Sequence, residues 1–165
     1  SDWAELIMEK QKLQEFATRV TQANRSELVV VIYEASMASI EEGKRYLNAG
    51  QKEEARKEIY RAKGMVEELM RSLDLQYEIA HYLRQLYIYA HRELCQGIAL
   101  SDVYRLDHAY NVLKGLLPSF QELAAQDDSQ PVMANTQQIY AGLTYGKGTL
   151  NETVSAVEQN RGYEV

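Results

Sequence analysis

At 165 residues, with 45% hydrophobic content and only two prolines, the chain has the size of a single domain that buries its own core without cross-links. A formal net charge of −6, with no basic cluster interleaved with aromatics, excludes the phosphate backbone of nucleic acid as a partner. A single cysteine, Cys95, excludes an intramolecular disulfide or a cysteine-based metal site, and the longest apolar run, 28–33, is far short of the roughly 20 residues that cross a bilayer.

The first residues lack the basic-then-apolar pattern of a secretion signal, so cytoplasmic residence without membrane insertion is expected. Trp3, Leu6, Leu13, Phe16 and Val20 share one helical face between about 2 and 22, interrupted by Lys10. Asn24-Arg25-Ser26-Glu27 then offers a variant capping box, in which Asn24 accepts from first-turn amides and Glu27 reaches back. A second helix is predicted over 25–47. It ends at Asn48-Ala49-Gly50, where glycine supplies the left-handed conformation common at helix C-termini. Its first turns, Leu28 to Tyr33, are apolar on every side, whereas a bundle helix needs a stripe only a little over 100° wide. A second covered face is therefore expected there.

The stretch 55–94 carries the clearest pattern. Ala55, Ile59, Ala62, Val66, Leu69 and Leu73 step by three and four, and Ile79, Leu83, Leu86, Ala90 and Leu94 repeat the pattern after a short polar break at 74–76. So short a break leaves room only for an antiparallel return, which predicts a helical hairpin. With Leu86 at the centre of the second stripe, Tyr82 and Tyr89 fall on one flank, Tyr87 on the other, and Ile88 opposite. Cys95 reads as a small buried hydrophobe on this helix.

Gly97 and Ser101-Asp102 mark a break and a fresh N-cap. A fifth helix follows on Leu106, Ala109, Leu113, Leu116, Phe120 and Leu123, with Pro118 expected to kink or loosen its last turns. Beyond Ala125 a polar linker leads to two weakly amphipathic pieces, 132–143 and 150–157. Each is too short to hold as an isolated helix. The expected organisation is a bundle domain over 1–125 and a tail over 126–165 that is flexible or docked on the bundle.

Chemistry-bearing patterns are sparse. Glu78 and His81 have the spacing of a carboxylate-bridged dimetal motif, but such a centre needs a second copy, which is absent from the sequence. The run from Gly142 to Thr149 departs from a phosphate loop in spacing, successor residue and context. His81, His91 and His108 have no nucleophile at a recognisable signature, and His91 and Cys95 stand one helical turn apart, a spacing that chance supplies. Neither an enzyme nor a metal or other cofactor is expected. Twelve tyrosines, concentrated on helices two to five, exceed what a core of this size needs; most are expected as half-buried packing residues whose hydroxyls reach water, and the rest as partner contacts.

Over 24–123 the wording resembles the flagellar secretion chaperone FliS family. The segment Leu28-Val29-Val30-Val31-Ile32-Tyr33-Glu34-Ala35-Ser36 is similar to the family's opening of the same helix, Ser72-Leu73-Asp74 to its turn, and Leu86-Tyr87-Ile88-Tyr89 to its Leu-Tyr-x-Tyr. The resemblance implies an all-α, antiparallel four-helix bundle, here with an additional N-terminal helix. It further implies a cytoplasmic chaperone that binds the C-terminal segment of flagellin, prevents premature polymerisation and presents the subunit to the flagellar export apparatus. The residues nominated for the partner-binding groove are Leu28, Val31, Ile32 and Ala35 on the second helix and Tyr82, Leu86 and Tyr89 on the fourth. The alternative is a structural or adaptor bundle that binds another amphipathic helix.

Overall fold

The three-four stepping of apolar residues becomes five helices in the computed structural model, which describes residues 2–133. They are α1 (Asp2–Gln22), α2 (Arg25–Asn48), α3 (Lys52–Arg71), α4 (Glu78–Leu100) and α5 (Val103–Gln126). No strand occurs among the described residues, and no helix among them is long and apolar enough to cross a membrane. The fold is an all-α bundle with an additional N-terminal helix. All but the first two residues of the piece 132–143, the piece 150–157, the run from Gly142 to Thr149 and the rest of the tail lie outside the described residues.

Two compact units are distinguished. One, Ser26–Asp127, holds α2 beyond its first residue together with α3, α4 and α5; the other holds α1 and the described residues that follow Asp127. In the second unit α1 exposes Trp3, Leu6 and Leu13, while Phe16 and Val20 are half-buried. Within this unit the Val132 amide donates to the Ala23 carbonyl at 3.1 Å.

The larger unit is organised by one core. Tyr33 and Ile40 of α2, Ile59, Ala62, Val66 and Leu69 of α3, Tyr87, Ala90 and Leu94 of α4, and Leu106, Ala109 and Leu113 of α5 are all essentially inaccessible. Each buried aliphatic of this size contributes about 1.5–3 kcal/mol, which is why a periodic stripe and not a helix propensity decides which face turns inward. The predicted α3 stripe is buried from Ala55 to Leu69, and α3 packs on α4 and α4 on α5. The α2–α3 contact is tight at Gly43, where a Cβ would lie 2.5 Å from Ile59 Cδ1.

The connections follow local chemistry. Gly50 has φ 77°, the left-handed value at which a Cβ is strained, and the chain turns there with the Gln51 amide donating to the Tyr46 carbonyl at 2.9 Å. Asp102 caps α5, its carboxylate accepting from the Tyr104 amide at 3.0 Å. Asn24 is buried where α2 begins. Pro118 does not end α5, which stays helical to Gln126; the predicted loosening shows only as shallow burial, with Leu116 and Phe120 half-buried and Leu123 exposed.

The α4 stripe differs from its sequence reading. Ile79 is 64% and Leu86 39% exposed, and the buried line runs instead through Ala80, Tyr87, Ala90, Leu94 and Gly97. The first half of α4 is thus turned by about one residue, or 100°. Tyr87 goes inside because its hydroxyl meets that of Tyr33, and Ala80 is small enough to let the helix approach closely. Cys95 is half-buried and does not belong to the core.

Candidate partner-binding groove

Between α3 and α4 the chain reverses through residues 72–77. Asp74 makes the turn, its carboxylate accepting from the Gln76 amide at 3.0 Å and its carbonyl from the Tyr77 amide at 3.2 Å. The Ser72 hydroxyl closes the end of α3 on the Leu69 carbonyl at 2.8 Å, and the His81 ring, through Nε2, pairs with the Leu75 carbonyl at 2.9 Å. His81 is thereby engaged by the turn, apart from any cluster of metal-binding side chains among the described residues. With the turn held this way, Leu75, Tyr77 and Ile79 all face solvent.

Beside this turn lies an open apolar hollow of about 220 Å³. Val29 of α2, Leu73 and Tyr77 of the turn, Ile79 and Leu83 of α4 and Phe120 of α5 form its walls, with Tyr87 beneath and Asp74 as the one acidic lining residue. The floor is rigid: the Tyr33 ring stands edge-on to Tyr87, with centroids 6.2 Å apart, and packs on Phe120 at 5.0 Å. The two hydroxyls satisfy each other at 2.5 Å. Burial pushes both phenols up from their ordinary range, and for Tyr33 the neighbouring Tyr87 adds to the effect. Both are neutral hydrogen-bonding groups at physiological pH.

A second hollow of about 250 Å³ lies between α2 and α5, formed by Met37, Ala38, Tyr110 and Leu117, with Glu34 and Glu41 also lining it. Val29 and Met37 are eight residues apart on α2, about 12 Å at 1.5 Å per residue, and Phe120 and Leu117 are one turn apart on α5. The two hollows therefore share the α2–α5 seam. Alongside the second hollow Lys44 pairs with Asp107 across the helices at 2.5 Å, a hydrogen bond that raises the lysine above its usual value.

None of the seven residues nominated from sequence lines either hollow. Val31 is only 4% exposed, and Leu28, Ile32 and Ala35 are half-buried, with Ile32 packed on the core. On α4, Tyr82 is exposed beside Leu86, and Tyr89 lies half-buried with the Arg92 guanidinium 5.5 Å from its ring centre. The hollow takes their sequence neighbours instead: Val29 next to Leu28, and Leu83 and Tyr87 next to Tyr82 and Leu86. A helix face is specified to within one residue only when its packing partner is known, and here the shift of α4 moves the lining set with it. The available signal was the overlap of Val29, Leu73 and Leu83 with the edges of the core stripes, where a side chain is half-buried and can serve both core and groove.

The comparison with known proteins agrees with this architecture. No curated protein matches the chain. The family model described as flagellar protein FliS matches residues 8–127.

Proposed function

The chain belongs to the flagellar protein FliS family, a family of flagellar export chaperones, and on that premise we propose that it binds the C-terminal segment of flagellin in the cytoplasm, keeps it from polymerising and passes it to the export apparatus. The observation that carries the reading is the pair of apolar hollows along the α2–α5 seam. A polymerising subunit has amphipathic ends that aggregate when exposed, and a seam with spaced hollows suits a segment that lays down apolar anchors at helical intervals. Such a segment orders as it binds, so part of the contact energy is spent on folding and release remains accessible.

The groove proposed for this segment is the hollow between Val29, Leu83 and Phe120 with Ile79 on its rim, extended toward Met37 and Leu117. Leu28, Val31, Ile32, Ala35, Tyr82, Leu86 and Tyr89 line neither hollow. Ile79 and Tyr82 are both exposed, on the same turns of α4, and only Ile79 lines the hollow. That difference makes the test.

Isothermal titration with a peptide from the flagellin C-terminus is expected to give saturable binding that Ile79→Glu abolishes and Tyr82→Glu leaves within a few-fold. Loss with Tyr82→Glu alone would place the contact on the face nominated from sequence. Absence of heat and of NMR shifts with the flagellin peptide, together with saturable binding of an unrelated amphipathic helix, would replace the chaperone reading with an adaptor role.

A further inference from the structure

Trp3, Leu6, Lys10, Leu13, Ala17 and Val20 of α1 alternate by three and four residues, the spacing of a two-stranded coiled-coil seam. Every residue from Trp3 to Glu15 is exposed, and Trp3 and Leu13, at 80% and 69%, are the most open large apolar side chains of the helix. An isolated helix of this length is marginal in water, so its order rests on something packed against that line.

The start of a second helix is in place at the C-terminal end of α1. Val132 and Met133 are already helical, and Pro131 precedes them, a residue favoured where helices begin. The Val132 amide donates to the Ala23 carbonyl at 3.1 Å, and α1 and residues 128–133 belong to the same compact unit. A helix continued from Met133 back along α1 has the same rise of about 1.5 Å per residue, so each step forward in one is a step back in the other.

The sequence beyond the tie fits that course. Val132, Ile139, Leu143, Leu150 and Val157 stand on the same three-four alternation. Counted from the tie, and to within one residue, Ile139 falls opposite Ala17, Leu143 opposite Leu13, Gly146 opposite Lys10 and Leu150 opposite Leu6. A large residue thus meets a small one at Ala17. The one charged position of the α1 seam meets a residue with no side chain, which gives the Lys10 stem a passage to water.

We propose that residues 134–157 form the covering helix of α1, antiparallel to it, within the same chain and in this register. Lys10 is then the residue that fixes the register, the role of a single polar residue in a coiled-coil seam. Gly142, Gly146 and Gly148 lower the intrinsic helicity of the segment, so its order depends on the α1 seam. The pairing concerns the α1 unit alone, and its test does not depend on flagellin.

Hydrogen exchange of the full chain, read by mass spectrometry on peptides from 134–157, tests the pairing. Protection of roughly tenfold or more over the unstructured rate is expected in the wild type, and Leu13→Asp should remove it. Reciprocally, Leu143→Asp should speed exchange across 3–20, with α3 to α5 unchanged in both variants as the control for folding. The register is read with cysteine pairs in a Cys95→Ser background. Ala17→Cys/Ile139→Cys should form a disulfide within one chain under mild oxidation, and Ala17→Cys/Leu150→Cys should not, because its thiols are several turns apart. Unprotected 134–157 in the wild type, protection that survives Leu13→Asp, or equal cross-linking of the two cysteine pairs would overturn the proposal. So would a cross-link found only between two chains, which would assign the α1 face to a second copy.

Discussion

The hydroxyls of Tyr33 on α2 and Tyr87 on α4 meet at 2.5 Å inside the core, directly beneath the apolar hollow. Each phenol is the partner that allows the other to be buried, because a hydroxyl removed from water without a hydrogen bond carries a penalty of about 1–3 kcal/mol. Tyr33→Phe strands the Tyr87 hydroxyl and is expected to destabilise the bundle by about that amount. The double variant Tyr33→Phe/Tyr87→Phe removes both groups and should lie closer to the wild type than either single change. Urea unfolding of all four proteins gives the coupling; additive single effects would show that the pair is not mutually dependent.

The same pair sets an alkaline limit. Burial raises both phenols above the ordinary tyrosine value of about 10. A group whose folded pKa is raised contributes stability that is complete below the unfolded pKa and is lost as pH rises beyond it. Between about pH 9 and pH 11 the wild type should therefore lose more stability than the Tyr33→Phe/Tyr87→Phe protein. Denaturant midpoints at the two pH values measure the difference, and parallel losses in both proteins would assign the alkaline limit to other groups.

Substitutions along the stripes should divide by burial. Leu69 and Leu113 are at most 1% exposed, and each Leu→Ala change is expected to cost about 2–5 kcal/mol. Val31→Glu places a carboxylate at a position 4% exposed and should lower the thermal midpoint as well, in contrast to Ile79→Glu, which is on the surface. Retention of full stability by the Val31 variant would mean that the α2 backbone yields enough to let the side chain reach water.

Two helical glycines should respond in opposite directions to alanine. At Gly97 a Cβ would sit 2.6 Å from Leu106 Cδ2 and 3.3 Å from the Asp102 carbonyl oxygen, and Leu106 is fully buried. Gly97→Ala is expected to cost about 1–3 kcal/mol through overpacking. At Gly64, inside α3, a Cβ meets nothing within 4 Å, so Gly64→Ala should gain roughly 0.5–1 kcal/mol from reduced chain entropy. Calorimetric melting temperatures of the two variants should move apart; a common shift would show that helix propensity and not the α4–α5 approach controls Gly97.

Local chemistry alone determined the helices, their order and the reversal at 72–77: the α3 stripe, the left-handed Gly50 and the Asp102 cap each depend on residues within a few positions of one another. The resemblance of 24–123 to the export-chaperone family was legible for the same reason, since it rests on ordered local motifs. Rotation of α4 was not legible. Leu86 and Tyr87 are adjacent and both apolar, and the choice between them rests on the hydroxyl of Tyr33, fifty-four positions away in the chain. That single choice placed Leu83 and Tyr87, in place of Tyr82 and Leu86, at the hollow. The pair of His91 and Glu67 has the same origin: the imidazole sits on α4, and the carboxylate that meets it at 2.9 Å arrives from α3, twenty-four positions earlier. Only packing decides such pairs, because a hydrogen bond between distant residues forms at no entropic advantage until the helices that carry them are already side by side.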